Sequence, residues 1–200
     1  MQRRALPLLI AALLAVSSPA LAEPAAYYAP PSEFNAALQV MDMGFSNDFA
    51  LIRNATGSFT YDEATKTISN LRLALDATSM SAGNNDTQRA LANFLASFQY
   101  PEIRVTMPDS AVFTDNKAEL KATVTMHGTS KPVTFSAVLN KSGKSSRAGG
   151  MWSSQGDAIG LSLRGDLKRA DFGLSSNNPE LPERFGDTVT LMLEMQAIQQ

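Results

Sequence analysis

The feature that most constrains this chain is an apolar residue at every second position, recurring in six separate runs. In NLRLALDA, Leu71, Leu73 and Leu75 face one way while Arg72, Ala74 and Asp76 face the other. A repeat of two marks a strand with one buried face. The same alternation returns at Ile103/Val105/Met107, Leu120/Ala122/Val124/Met126, Val133/Phe135/Ala137/Leu139, Ile159/Leu161/Leu163 and Val189/Leu191/Leu193/Met195. Two further strands are expected near Leu38–Ser46 and Gly57–Tyr61. The segments YDEATK, TDNK, HGTSKP and KSGK between such runs are rich in Asp, Asn, Gly and Pro and read as hairpin turns.

One stretch has a different period. In DTQRALANFLASFQYP, Leu91, Phe94, Leu95 and Phe98 recur at i, i+3, i+4 and i+7, with Asp86 as the expected N-cap and Pro101 past the end. This predicts an amphipathic helix of about three turns lying against the sheet. About eight antiparallel strands with one apolar face each must stack as a sandwich or close as a barrel. Closure removes the exposed edges, and a barrel of about eight strands has room for one small ligand, whereas a sandwich fills its interior with side chains. The alternation alone leaves both open.

Residues 1–22, MQRRALPLLIAALLAVSSPALA, carry Arg3 and Arg4, an apolar run from Leu6 to Val16, and Ala20-Leu21-Ala22. That is the pattern of a secretory signal peptide, with cleavage expected after Ala22. The run falls short of the ~20 residues of a spanning helix, so stable membrane insertion is not expected. Residues 23–33 open with the Pro/Ala-rich EPAAYYAPP and read as a flexible arm, leaving 34–200 as a single domain. Without Arg3 and Arg4, 15 basic residues face 19 acidic ones, so no basic face is implied and nucleic acid is not an expected partner. The chain has no cysteine, which excludes disulfides, thiolate metal sites and a lipid-modified cysteine. An exported protein held by packing alone suits a bacterial periplasm.

The residues that carry chemistry are few. Asp171-Phe172-Gly173 matches a kinase metal-binding tripeptide, but the glycine-rich phosphate loop, strand lysine and catalytic loop that must accompany it are missing from the sequence. Phe172 is expected to be buried at the close of a strand, and Asp171 to be exposed or paired with an arginine. His127 is the only histidine and falls in the HGTSKP turn, where capping backbone groups is the expected role. With no second histidine, no cysteine and scattered carboxylates, neither a nucleophile–base pair nor a metal site is expected. Asp62/Glu63 and Glu180/Glu183 lie in polar loops and read as solvated charges.

The ordered pieces GFS (44–46), TGSFTYD (56–62), FLASFQYPEIRVTM (94–107), TVTMHGTSKPVTF (123–135), RADFG (169–173) and FGDTVTLMLEMQA (185–197) span nearly all of residues 34–200. In these the chain resembles the YceI family of exported, lipocalin-like proteins, also described as polyisoprenoid-binding. The resemblance implies an all-β fold: an extended antiparallel eight-stranded lipocalin-like barrel with one amphipathic helix. It also implies an amphiphilic lipid ligand, such as an isoprenoid quinone, a polyprenyl or a fatty chain, and no other cofactor. On the expected inward phase, the lining residues are Phe45, Phe59, Leu73, Leu75, Val105, Val124, Phe135, Leu161, Leu163 and Phe172. Phe94 and Phe98 join them from the helix face, and Trp152 from the barrel mouth or end. Asn54, Thr56 and Ser58 are candidate donors for a polar head. The competing expectations are an interaction module with a fully packed interior and, behind it, an enzyme acting on a lipid with His127 as base. A homodimer is left open.

Overall fold

Each of the six alternating runs forms a strand, and further strands join them. The computed structural model describes residues 23–145, 156–174 and 184–200. Its strands are β1 (Ala25–Ala29), β2 (Phe34–Asp42), β3 (Ser46–Ile52), β4 (Ala55–Asp62), β5 (Thr67–Asp76) and β6 (Met80–Ala82). After the helix α1 (Asn85–Phe94) come β7 (Glu102–Val112), β8 (Lys117–Met126), β9 (Thr129–Ser145), β10 (Gly156–Lys168) and β11 (Phe185–Gln199). The expected signal peptide, Trp152, Glu180 and Glu183 lie outside the described residues.

Eight strands, in the order β1, β4, β5, β7, β8, β9, β10, β11, close into an antiparallel barrel. The seam is β1. Its residues Ala25–Ala29 pair with Tyr61–Gly57 of β4, while Tyr27 and Tyr28 meet Gln199 and Ile198 of β11. Past a short 3-10 turn at Pro31–Glu33, β2 continues along the same edge of β11, from Phe34 opposite Met195 to Val40 opposite Val189. On its far side β2 takes β3, and β3 takes β6, so a three-stranded flap departs from the barrel wall.

Residues 25–29 are therefore a strand, and the expectation of a flexible arm over 23–33 is corrected there. The cause is visible in AAYYA, where Tyr27 and Ala29 are buried and Tyr28 points out, a repeat of two too short to stand out beside the three prolines, Pro24, Pro30 and Pro31, around it. The expected strand Leu38–Ser46 is also interrupted. Met43 and Gly44 have φ of 46° and 77°, and the Phe45 N–H donates to the Asp42 carbonyl at 2.9 Å, so residues 43–45 are the tip of the β2–β3 hairpin. KSGK, expected as a turn, lies inside β9.

Helix α1 starts two residues earlier than expected. The Asn84 side chain, not that of Asp86, accepts from the Thr87 N–H at 2.8 Å, and Asp86 instead pairs with Arg89 in the first turn. The helix stops at Phe94. Ala96 adopts φ 47°, with its N–H donating to the Asn93 carbonyl and the Ser97 N–H donating to the Ala92 carbonyl, both at 3.0 Å. This is a Schellman closure with alanine where glycine is usual.

The inward faces form one apolar cluster from Tyr27 to Ala197, and the buried polar residues among those described are Thr87, Ser97 and Thr190. Two glycines make room for large side chains of their cross-strand partners. A Cβ on Gly57 would stand 2.9 Å from Leu73 and 3.3 Å from the Phe34 ring, and one on Gly165 would stand 2.7 Å from the Phe135 ring. Gly165→Ala is therefore expected to overpack the wall, costing about 1–3 kcal/mol in urea unfolding. An unchanged midpoint and slope would show that Phe135 can move aside freely.

Candidate binding site

The barrel places ten of the thirteen expected lining residues in its buried interior. Phe59 projects inward from β4, Leu73 and Leu75 from β5, Val105 from β7, Val124 from β8, Phe135 from β9, and Leu161 and Leu163 from β10. Phe94 enters from α1 and Phe172 from the 3-10 turn Arg169–Phe172 that follows β10. Register brings them together in belts. Gly57, Leu73, Val105 and Val124 are successive cross-strand partners, and Phe135, Gly165 and Leu191 form a similar row opposite.

Phe45 and Phe98 are corrections. Both are almost fully exposed, at 90% and 88%. Phe45 sits in the hairpin tip, where strand phase no longer applies. A helical repeat from Leu91 would turn Phe98 inward, but the Schellman closure at Ala96 ends that repeat and turns Phe98 to solvent. Asn54, Thr56 and Ser58 are not assembled into a head-group site either. Even-numbered residues of β4 point outward, and these three fall in two separate grooves on the outer wall.

The two barrel ends differ. At the helix end, α1 and the segment after β10 pack across the opening. The Phe94 and Phe185 rings meet edge-on at 5.0 Å, and the Tyr100 ring lies 4.6 Å from that of His127. His127 and Gly128 form the β8–β9 turn at φ 52° and 72°, and His127 Nδ1 lies 3.0 Å from the Phe172 carbonyl. With Nδ1–H as donor, the only histidine holds a backbone oxygen, in keeping with the expected capping role. Phe172 is buried and Asp171 exposed, as read from the sequence.

Arg184 ties this end together. Its guanidinium donates two hydrogen bonds to Asp42 (2.9 and 2.7 Å), reaches Asp48 at 3.3 Å, and lies over the Phe185 ring at 5.1 Å. The Met43 N–H also donates to the Arg184 carbonyl at 2.7 Å, so β2, β3 and β11 share one anchor. The hydrogen bond from Arg184 holds the Asp42 carboxyl below its ordinary range, whereas burial and the neighbouring Asp42 charge push Asp48 up.

The opposite end carries an aromatic group that sequence reading missed. Tyr27 stacks on Phe59 at 5.7 Å, and Tyr61 stands edge-on to Tyr27 and to Phe113, each at 6.4 Å. Tyr61 and Phe59 share the inward phase of β4, which was a usable signal; Tyr27 was hidden in the supposed arm. The Tyr61 hydroxyl is buried without a hydrogen-bond partner, which costs about 1–3 kcal/mol. Burial first, then Glu63 and Tyr27, push the Tyr61 hydroxyl up to about 12, and burial with Asp157 and Glu63 raises Tyr27. Beside these rings opens a cleft of about 510 Å³. No group of three or more His, Cys, Asp or Glu stands ready to hold a metal ion among the described residues, and no described helix is long and apolar enough to cross a membrane.

A family model described as a YceI-like domain matches residues 27–197. A UPF0312 protein of Pseudomonas putida is 26% identical over 166 residues, covering 81% of this chain and 79% of that one. Among solved structures, Burkholderia cenocepacia BcnA aligns at TM-score 0.68 with 12% identity, covering 84% of this chain and 98% of its own. A polyisoprenoid binding domain from Saccharophagus degradans, implicated in plant cell wall breakdown, aligns at TM-score 0.58 with 12% identity, covering 89% and 100%. These two structural likenesses speak for the fold.

Arg184→Ala is expected to leave Asp42 and Asp48 facing each other unpaired and to lower stability by about 1–3 kcal/mol near neutral pH, less than for a fully buried pair. The folded pKa of Asp42 lies below its ordinary 3.8, so the stability it adds is present above 3.8 and is lost as pH falls through the lower folded value. Denaturant titrations of both proteins should therefore converge at acid pH; a gap that persists below that range would assign the loss to packing on Phe185.

Proposed function

Starting from a chain that belongs to the YceI-like domain family, matched over residues 27–197, we propose that it is a non-catalytic binding protein for a long apolar chain carried by an amphiphile. An isoprenoid quinone, a polyprenyl or a fatty chain fits that description. The observation that carries the reading is the inner wall: a closed barrel whose buried surface runs almost without interruption through Leu, Val, Ile, Met and Phe. The printed description of the Saccharophagus degradans domain as polyisoprenoid-binding supports the same ligand class. The ten interior residues named above, from Phe59 to Phe172, are the proposed contacts.

The magnitudes suffice. At ~0.8 kcal/mol per buried CH₂, ten carbons contribute on the order of 8 kcal/mol before ordering costs. Strands of about ten residues run roughly 33 Å, long enough for an extended prenyl tail. Met107, Met126 and Met195 lie on the inner wall, and their unbranched side chains can rearrange around a guest more readily than Val or Ile. The proposed setting is the periplasm, after removal of residues 1–22 at Ala22. His127 engaged with the Phe172 carbonyl favours a structural role over that of a general base.

One observation favours the packed-interior reading instead: Phe34, Leu73 and Phe135 already press against Gly57 and Gly165. The two separate in a direct measurement. Mature protein purified from a periplasmic extract should yield a stoichiometric isoprenoid or fatty chain to organic solvent, identified by mass spectrometry, and the emptied protein should take up added quinone. A clean extract with no uptake would establish the interaction-module reading.

A further inference from the structure

On the outer wall, Tyr28 of β1, Ser58 of β4 and Arg72 of β5 are successive cross-strand partners, and all three point away from the core. The row spans two strand spacings, about 10 Å. Around it lies a groove of about 330 Å³ whose walls also include Thr60, Asn70 and Gln200. The groove is on the solvent side of the sheet, separate from the barrel interior.

A bulge shapes it. Ser58 pairs with Arg72 and Thr60 with Ser69, so Phe59 alone stands opposite both Asn70 and Leu71. Ile68 and Leu71 are both buried although three residues apart, and the two residues between them, Ser69 and Asn70, stay off the core. Asn70 takes φ 54°, a left-handed conformation that residues other than glycine enter at a cost. The bulge thereby adds an exposed amide to the groove that a regular strand would not present.

Arg72 sets the charge. It has no ion pair among the described residues, the terminal carboxylate of Gln200 included, and its partner on β7 is the uncharged Thr106. No acidic side chain lines the groove. A guanidinium presents a planar fork that meets a carboxylate at two points. Tyr28, 36% exposed, offers a ring whose negative face attracts polarised C–H groups such as those of a sugar. Ser58, Thr60, Asn70 and Gln200 bring hydroxyls and amides that both donate and accept. Every ligand meets the same single cation. A neutral sugar leaves it unused, and a phosphate monoester brings up to two negative charges to one guanidinium. An aromatic carboxylate engages Arg72 and Tyr28 but none of the four hydroxyl and amide side chains. A sugar acid engages all three kinds of group.

We propose that this groove is a binding site for an acidic sugar unit, a uronate, with its carboxylate on Arg72, its ring against Tyr28 and its hydroxyls on the neighbouring polar side chains. The site is independent of the carrier reading and stands or falls without it.

The test is a titration of the ¹⁵N-labelled mature chain, read by amide shifts, with trigalacturonic acid, its methyl ester, 4-hydroxybenzoate and inorganic phosphate. The acid trimer should shift the amides of Tyr28, Ser58 and Arg72 and bind about tenfold more tightly than the ester, the difference expected for one two-point carboxylate contact. Arg72→Gln should weaken the acid about tenfold and leave the ester unchanged. Asn70→Gly separates ligand contact from backbone shape, because glycine enters the left-handed region freely: the melting temperature should be equal or higher while the acid binds several-fold more weakly. An unchanged affinity in Asn70→Gly would overturn the part given to the amide. An ester, phosphate or 4-hydroxybenzoate that binds as tightly as the acid would overturn the sugar-acid assignment. No shift at the three amides on adding the acid would overturn the site, and lipid extraction from the barrel would be untouched by any of these results.

Discussion

Everything else in the fold depends on the five residues that close the seam. Without β1, the sheet would leave the edge of β4 and the last residues of β11, beyond the reach of β2, with unpaired backbone groups and expose its apolar face along the gap. β1 satisfies both edges at once, pairing along its length with β4 and over Tyr27 and Tyr28 with β11. Only after closure do the inward residues of eight strands face one another, and only then does the alternation define an interior.

That interior has two unlike ends. The helix end is held by side chains committed to one another: Phe94 against Phe185, His127 against the Phe172 carbonyl, and Arg184 spanning Asp42 and Asp48. These contacts link α1, the β2–β3 hairpin and the start of β11. The other end has tyrosines whose rings join the core while their polar surroundings are acidic. One end is thus closed by committed contacts, while the other keeps a buried hydroxyl, that of Tyr61, without a partner.

The legibility of the sequence follows from where a repeat is long enough to be seen. Strands with three or more alternating apolar residues, such as β5 and β11, were readable, and so were the inward positions on them. Shorter elements were not: β1 has only Tyr27 and Ala29 as large or small inward residues, and β6 has three residues in all. Phase errors arose where a local backbone feature resets the count. The left-handed residues at Met43–Gly44 and Ala96 end a strand and a helix, and they explain why Phe45 and Phe98 point to solvent. Non-glycine residues with positive φ leave little mark in a sequence. The acidic cleft was unreadable for another reason, since Tyr27, Glu63, Ser142 and Asp157 come from four separated segments that only closure brings together.

The central claim is that the guest lies inside the barrel, and its most direct test uses the methionines as reporters. With ¹³C-labelled methionine methyls, a bound prenyl chain should give nuclear Overhauser contacts to Met107, Met126 and Met195, which are buried, and none to Met41 and Met43, which lie on the outer flap. Contacts confined to Met41 and Met43, with the three interior methyls unperturbed, would place the lipid on the surface and contradict the account.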